Sequence, residues 1–341
     1  MNASTVLEVT STPDHPVVVT GASGFIGRRL VQVLASNGMA GLAVSRTAVT
    51  SLPDGWTYLP RDRFLNEATP RPVRAIIHLE ARHHVFRQTP ESIAEMEQVN
   101  VGGTAAMLQA ADRYQCPAFL YFSSIKAVDP GLGQTDELAP GPGRTLYGRT
   151  KWQAESLVRQ WVSAHPTRSA RILRPAVVYG PGNTANLYSM MDAVARGRFP
   201  LVAGGKNVKS IVSLENVCAS VVHLLARLQP GTEVFNLAEP ESFPVHVLGQ
   251  QMARALGVAA PTRSIPLGLA RLLAWIGDGI MAAGVQGFPM NSTRLEGLVE
   301  NSHFSARKLL ETGFTPVEST KDGIQRLADW YAKQSSAPRK T

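Results

Sequence analysis

Three side chains in this 341-residue sequence have the types and spacing of a proton-transfer set: Ser124, Tyr147 and Lys151. Tyr147 and Lys151 are four residues apart, at the start of an apolar-periodic stretch that continues through Leu157 and Trp161. That spacing predicts one helix face carrying both groups about one turn apart. An ammonium beside a phenol favours the phenolate, so the pair is expected to lower the Tyr147 pKa and supply a general base nearer neutral pH. Tyr/Lys pairs are common on helix surfaces. This one gains meaning from Ser123-Ser124, which close the strand-like run Ala118-Phe119-Leu120-Tyr121-Phe122, and from a glycine cluster near the start of the chain.

The elements that would position these groups begin with that cluster. Val17-Val18-Val19-Thr20 reads as a buried parallel strand and runs into Gly21-Ala22-Ser23-Gly24-Phe25-Ile26-Gly27. Apolar positions Phe25, Ile26, Leu30, Val31, Val33 and Leu34 then repeat with helical period. Strand, glycine turn and helix in this order predict a dinucleotide site. Gly21 makes the tight turn, Gly24 admits a pyrophosphate, and Gly27 lets helix and strand pack closely. The helix N-terminus would face the anion with free N–H groups.

A second strand, Gly41–Ser45, ends in Ser45-Arg46-Thr47, and no acid follows until Asp54. An NAD site usually has an acid there for the ribose 2′-hydroxyl. Arg46 instead suits a 2′-phosphate, which favours NADP over NAD, although a solvated arginine is the plainer alternative. Asp62 follows the strand Trp56–Leu59, where it would accept from an adenine amino group or simply sit on a surface turn. Ala75–Leu79 forms a fourth strand before Glu80-Ala81-Arg82-His83-His84. Adjacent histidines on a loop diverge, and no further ligand has suitable spacing, so no metal site is expected. A long helix is expected over Glu91–Tyr114, with Asn100 inside it either solvated or holding a neighbouring backbone group. Alternating strands and helices imply an α/β fold, a doubly wound parallel Rossmann sheet. Gly21, Arg46, Leu79 and Ser124 all fall at carboxyl ends of strands and should converge on one crevice.

Composition bounds the rest. A chain 44% hydrophobic and 18% charged is globular. Cys116 and Cys218 lie far apart and suit buried thiols in a reducing, cytoplasmic setting. The net charge of +8 has no aromatic-interleaved basic cluster, which points to anionic small substrates rather than nucleic acid. Residues 1–15 lack the basic start and apolar core of a signal peptide and are expected to form a loose arm; 334–341 is expected to be a basic tail. Leu267–Gly284 is rich in Leu, Ala, Ile and Trp but is interrupted by Arg271 and Asp278 and is short for a span. It reads as a buried or amphipathic helix, with association at a membrane surface as the other reading.

The glycine motif, Ser123-Ser124, Tyr147-Gly148-Arg149-Thr150-Lys151 and Arg174-Pro175-Ala176-Val177-Val178-Tyr179-Gly180-Pro181-Gly182, in this order, resemble the extended short-chain dehydrogenase/reductases. The nearest branch is the NAD-dependent epimerase/dehydratase family acting on nucleotide sugars, and the resemblance runs from about Val17 to Lys333. It implies Tyr147 as acid/base, Lys151 on the nicotinamide ribose, and Ser124 orienting the sugar hydroxyl or ketone. It implies Gly21, Ser23, Gly24, Phe25, Ile26, Gly27, Arg46, Asp62, Leu79, Ala81, Asn100 and Pro175 around NAD or NADP. Asn186 and Lys209 would contact the substrate nucleotide. It also implies a Rossmann domain over 16–180 with 215–238 returning to it, a substrate lobe from 181–214 and 239–333, and a homodimer packed through helices Glu91–Tyr114 and Tyr147–Val162.

Two departures from the family pattern stand out. Glu80 occupies a position commonly small, and Lys209 one that is often arginine. Ile125-Lys126 replace the Asp-Glu pair of sugar 4,6-dehydratases, which argues against dehydration. The implied reaction is hydride transfer at a sugar C4, as a 4-epimerase or a 4-keto-sugar reductase. Two alternatives are a hydroxysteroid- or flavonoid-type alcohol dehydrogenase, for which Leu267–Gly284 speaks, and a non-catalytic dinucleotide-binding regulator, against which the retained Tyr147 and Lys151 speak.

Overall fold

The computed structural model describes residues 15–83, 89–131, 133–185, 187–282 and 291–336. The chain divides into two units: Met1–Ala176 with Leu214–Ala238 and Ser305–Val317, and Val177–Ser213 with Glu239–Phe304 and Glu318–Thr341.

The first unit is built on a seven-stranded sheet. Its strands are β1 (Val17–Thr20), β2 (Gly41–Ser45), β3 (Trp56–Pro60), β4 (Ala75–His78), β5 (Ala118–Phe122), β6 (Ser169–Pro175) and β7 (Gly231–Leu237). They lie in the order 7-6-5-4-1-2-3, and every neighbouring pair is parallel. This is the Rossmann arrangement. The β-branched and aromatic residues of β1, β4 and β5 are buried on both faces, as a parallel sheet covered by helices requires. Val17 pairs with Gly41 on one side and Ala75 on the other. The strand order therefore reverses at β1/β4, and in such sheets ligands bind outside the carboxyl ends at that point.

Two features of this unit depart from the sequence reading. The expected continuous helix over Glu91–Tyr114 is broken into Pro90–Glu97, a π-helical turn Gln98–Gly102, and Gly103–Arg113. Residues 305–317, expected in the substrate lobe, pack with the sheet unit instead. Lys308 Nζ lies 4.8 Å from the Phe235 ring centroid of β7, Thr312 Oγ1 is 2.8 Å from His223 Nε2, and the Val317 N–H donates to Asn216 Oδ1 at 2.9 Å. A cation over a ring and two side-chain hydrogen bonds outweigh proximity in sequence.

Among the described residues, the second unit holds three two-stranded pairs and a helical core. Helices Leu187–Ala195, Val245–Leu256 and Thr320–Ser336 bury Tyr179, Met191, Leu248, Met252 and Leu327. The last helix takes up 334–336, so the expected basic tail starts later than 334. Residues 337–341 and, apart from His15, the expected arm 1–15 lie outside the described residues. Helix Leu267–Ala282 packs in a separate small cluster with Val202 and Leu295. Among the described residues, no helix is long and apolar enough to cross a membrane.

Candidate active site

The glycine turn has the shape of a phosphate cradle. Gly21 follows β1 with φ +68°, a conformation costly for any residue with a Cβ. Its carbonyl accepts from the Gly24 N–H at 2.9 Å. A Cβ on Gly27 would stand 2.3 Å from Gly21 O and 2.8 Å from Ala22 Cα, so only glycine lets the helix start against the turn. Helix Phe25–Ser36 carries no side-chain cap and no acid in its first turn. Its leading N–H groups are thus left to an anion, and Gly24 at the cap is exposed. Ser23, Phe25 and Ile26 line this start and are partly buried. These residues fit a dinucleotide pyrophosphate.

Leu79 and Glu80 leave β4 directly against the turn: a Cβ on Gly21 would meet Glu80 N at 3.2 Å and Leu79 C at 3.3 Å. The Glu80 carboxylate is drawn sideways by Arg61, whose Nε donates at 2.8 Å. Asp62 is 91% exposed at 3.9 Å from Arg61, and Arg46 is exposed at the end of β2. Ala81, three residues past β4, and Pro175, the last residue of β6, are partly buried.

Helix Leu146–Ser163 carries both Tyr147 and Lys151. Thr145 caps it, its Oγ1 accepting from the Gly148 N–H at 3.0 Å. Ser124 caps the short turn after β5, its Oγ accepting from the Lys126 N–H at 3.2 Å. Lys151 is 1% exposed, with its Nζ 4.5 Å from the Tyr121 ring centroid. Burial pulls Lys151 down from 10.5 to about 7, against the upward pull of Glu155. The expectation that Lys151 lowers the Tyr147 pKa is not met. Burial pushes the phenol above its ordinary value, and the Ser124 side chain is what opposes the rise. Desolvation outweighs the ammonium because Lys151 is itself desolvated and set against Tyr121 and Glu155. The His83 ring stands 5.1 Å from that of Tyr147.

Asn100 is not solvated: it holds a neighbouring backbone group. It is 1% exposed, takes the Arg82 N–H on Oδ1 at 2.8 Å, and donates from Nδ2 to Arg82 O at 3.1 Å and Thr150 Oγ1 at 2.9 Å. The π turn aims it inward, so it fastens the loop after β4 to the helix bearing Tyr147 and Lys151.

One turn beyond Lys151, sequence reasoning missed a buried charge cluster. Glu155 (0% exposed) accepts from Ser123 Oγ at 2.6 Å, from Arg174 Nε at 2.8 Å and Nη2 at 2.7 Å, and from Arg159 Nη2 at 3.0 Å. An acid four residues after Lys151 was the signal available. His78, fully buried with Nδ1 2.7 Å from Thr20 Oγ1, is held neutral, its pKa pushed down to about 3 chiefly by burial.

Gly21, Gly24, Gly27, Leu79, Ser124, Tyr147 and Lys151 thus all belong to one unit, with Gly21, Leu79 and Ser124 just past the carboxyl ends of the neighbouring strands β1, β4 and β5. Lys209 belongs to the other unit, where its Nζ donates to Gly297 O at 2.8 Å. Asn186 and His84 lie outside the described residues.

Comparison with known proteins bears on this geometry. A profile of the NAD dependent epimerase/dehydratase family matches residues 17–238. The chain is 26% identical over 320 residues to an N-acetyl-alpha-D-glucosaminyl-diphospho-ditrans,octacis-undecaprenol 4-epimerase of Escherichia coli O157:H7, covering 92% of this chain and 94% of that one. Its fold is similar to that of MoeE5 solved with UDP-glucose and NAD (TM-score 0.71, 22% identity, 94% of this chain and 100% of that one). It is similar also to human epimerase family protein SDR39U1 solved with NADPH (TM-score 0.74, 18% identity, 92% and 99%).

Proposed function

The chain belongs to the NAD-dependent epimerase/dehydratase family, as an enzyme of the extended short-chain dehydrogenase/reductase type, and from that premise we propose that it moves a hydride at C4 of a sugar held through a diphosphate. The observation that carries the reading is Tyr147 one helical turn from buried Lys151 on helix Leu146–Ser163, in the unit that carries Ser124 and the glycine cradle.

A nicotinamide dinucleotide supplies the hydride acceptor or donor when bound. The chain's own residues do the rest. Ser124 orients the C4 oxygen. Tyr147 delivers its proton to a 4-keto oxygen, or takes one from a 4-hydroxyl in the reverse direction. A partly buried phenol held above its ordinary pKa is ready as the donor, which suits the reductive step. Protonated Lys151 offsets charge developing on the phenol oxygen, and Glu155 helps retain that proton. Asn100 keeps Arg82 and the β4 exit in place against the same helix.

The sugar's diphosphate is carried either by a nucleotide, as in the UDP-hexoses expected from the sequence, or by a lipid. The second reading is favoured by the relative that matches 92% of this chain, which is named for a lipid-diphosphate sugar. Exposed Arg46 supports NADP as the dinucleotide. A homodimer packed along the groove lined by Val101, Gly102, Trp152 and Leu157 belongs to the same proposal.

The test is a substrate panel. Epimerisation of a UDP-hexose without added cofactor indicates an epimerase, and NADPH consumption only with a 4-keto sugar indicates a reductase. Tyr147→Phe should abolish turnover while cofactor titration stays as in the wild type. Full activity in that variant would remove Tyr147 from the role given to it.

A further inference from the structure

Helix Leu267–Ala282 is amphipathic the wrong way round for a surface helix. Its inward face is small: Ala270 and Ala274 are 0% and 1% exposed, and Gly277 is buried. Its outward face is large and apolar: Leu269, Leu272, Leu273, Trp275 and Ile276 are 50%, 52%, 41%, 72% and 44% exposed. At 100° per residue these five cover an arc of about 160°. The inward side packs against Val202 and Leu295, so the outward side is not a stripe that this unit could bury by a small rotation. A contiguous exposed apolar face of this kind marks an interaction surface.

The charges around it specify the partner. Arg271 flanks the apolar arc one turn before Trp275, the placement from which a cation reaches headgroups while its stem lies in the apolar layer. Two further cations are exposed beside the paired segments Leu201–Val202 and Ser264–Ile265: Lys206, which ends the turn after the first, and Arg263, which precedes the second and the helix. The helix's acid, Asp278, is turned to Ser292 and takes its N–H at 3.1 Å and its hydroxyl at 2.5 Å. The companion helix Ser292–Val299 adds one exposed residue of each sign, Arg294 and Glu296. The whole chain carries a net charge of +8. Sixteen residues reach about 24 Å, short of a hydrocarbon core of about 30 Å, so such a helix lies on a bilayer and does not span it.

We propose that the outward face of helix Leu267–Ala282 docks the enzyme on an anionic phospholipid surface, with Trp275, Leu272 and Ile276 entering the headgroup boundary and Arg271, Arg263 and Lys206 meeting lipid phosphates. Resting on the reaction proposed above, this places the enzyme where a sugar diphosphate on a lipid carrier is met.

The experiment is flotation of the full chain with vesicles of phosphatidylcholine and phosphatidylglycerol at 100 and 500 mM salt, beside pure phosphatidylcholine vesicles. The wild type should float with the anionic vesicles, less so at high salt. Leu272→Ser with Ile276→Ser should weaken partitioning by about tenfold per residue. Arg271→Glu should weaken it on anionic vesicles only. Cofactor titration and circular dichroism check that each variant is folded. A wild type that stays in solution, or a double variant that floats as well as the wild type, overturns the proposal. So does a double variant that turns a dimer into a monomer with no vesicle binding by either form, because the face would then belong to a second copy. Flotation needs no turnover, so a chain that floats yet processes no sugar overturns the proposed reaction and leaves the docking surface standing.

Discussion

Replacing Glu155 by Gln keeps shape and one carbonyl acceptor but removes the charge that three partners and Lys151 use. Glu155 is 0% exposed and Arg174 1%, so Arg174 would be left as a buried cation without its counter-ion. Breaking a buried pair on one side costs about 3–5 kcal/mol. For a unit of the sheet domain's size, this lowers the melting transition by roughly 6–12 °C at the lower figure. The second effect is electrostatic. Lys151 already sits at about 7 because burial exceeds the pull of Glu155, so removing Glu155 takes it lower still. If protonated Lys151 supports the phenol, kcat/KM in the reductive direction falls as pH rises through the Lys151 value. In Glu155→Gln that fall moves to lower pH. A stability scan gives an independent sign. Glu155 is depressed below 4.5 in the folded chain, so its contribution is present above about 4.5 and is lost as pH falls through the lower folded-state value. Glu155→Gln should be missing that acid limb. A variant with both the wild-type melting transition and the wild-type alkaline limb would refute the reasoning, because Glu155 would then neither neutralise Arg174 nor tune Lys151.

Two further outcomes follow from the cradle and from the end of β2. Gly27→Ala puts a methyl 2.3 Å from a backbone oxygen that cannot swing away, so the turn must open. Fluorescence titration should show loss of dinucleotide binding, with a destabilisation of about 1–3 kcal/mol by denaturant melt; binding at wild-type strength would remove the turn from the site. Arg46→Asp should shift the NADP/NAD ratio of kcat/KM toward NAD by about tenfold or more, because a charge-assisted contact becomes a repulsion. An unchanged ratio would show that Arg46 is only a solvated side chain.

What the sequence made legible was whatever depends on neighbours in the chain. Val17–Thr20, the glycines and the Tyr147/Lys151 spacing each specify local backbone or one helix face, and the parallel, doubly wound sheet follows from the alternation of strands and helices. What it concealed depends on which groups meet in space. Helical periodicity runs unbroken over Glu91–Tyr114, yet Asn100 gains two hydrogen bonds to the Arg82 backbone and one to Thr150 by turning inward, and the helix widens to allow it. The pairing of Tyr147 with Lys151 was readable, but its electrostatic sign was not. That sign hangs on burial, which in turn depends on Tyr121 from β5 and Glu155 from the next turn. Helix Leu267–Ala282 shows the same limit from the other side. Apolar density tells that a face will leave water, but only the packed position of Ala270 and Ala274 tells that the small residues face inward and the large ones outward. The two readings the sequence left open for that segment, a buried or amphipathic helix and one at a membrane surface, therefore turn on rotation about one axis, and the rotation found is the one that leaves Trp275 72% exposed.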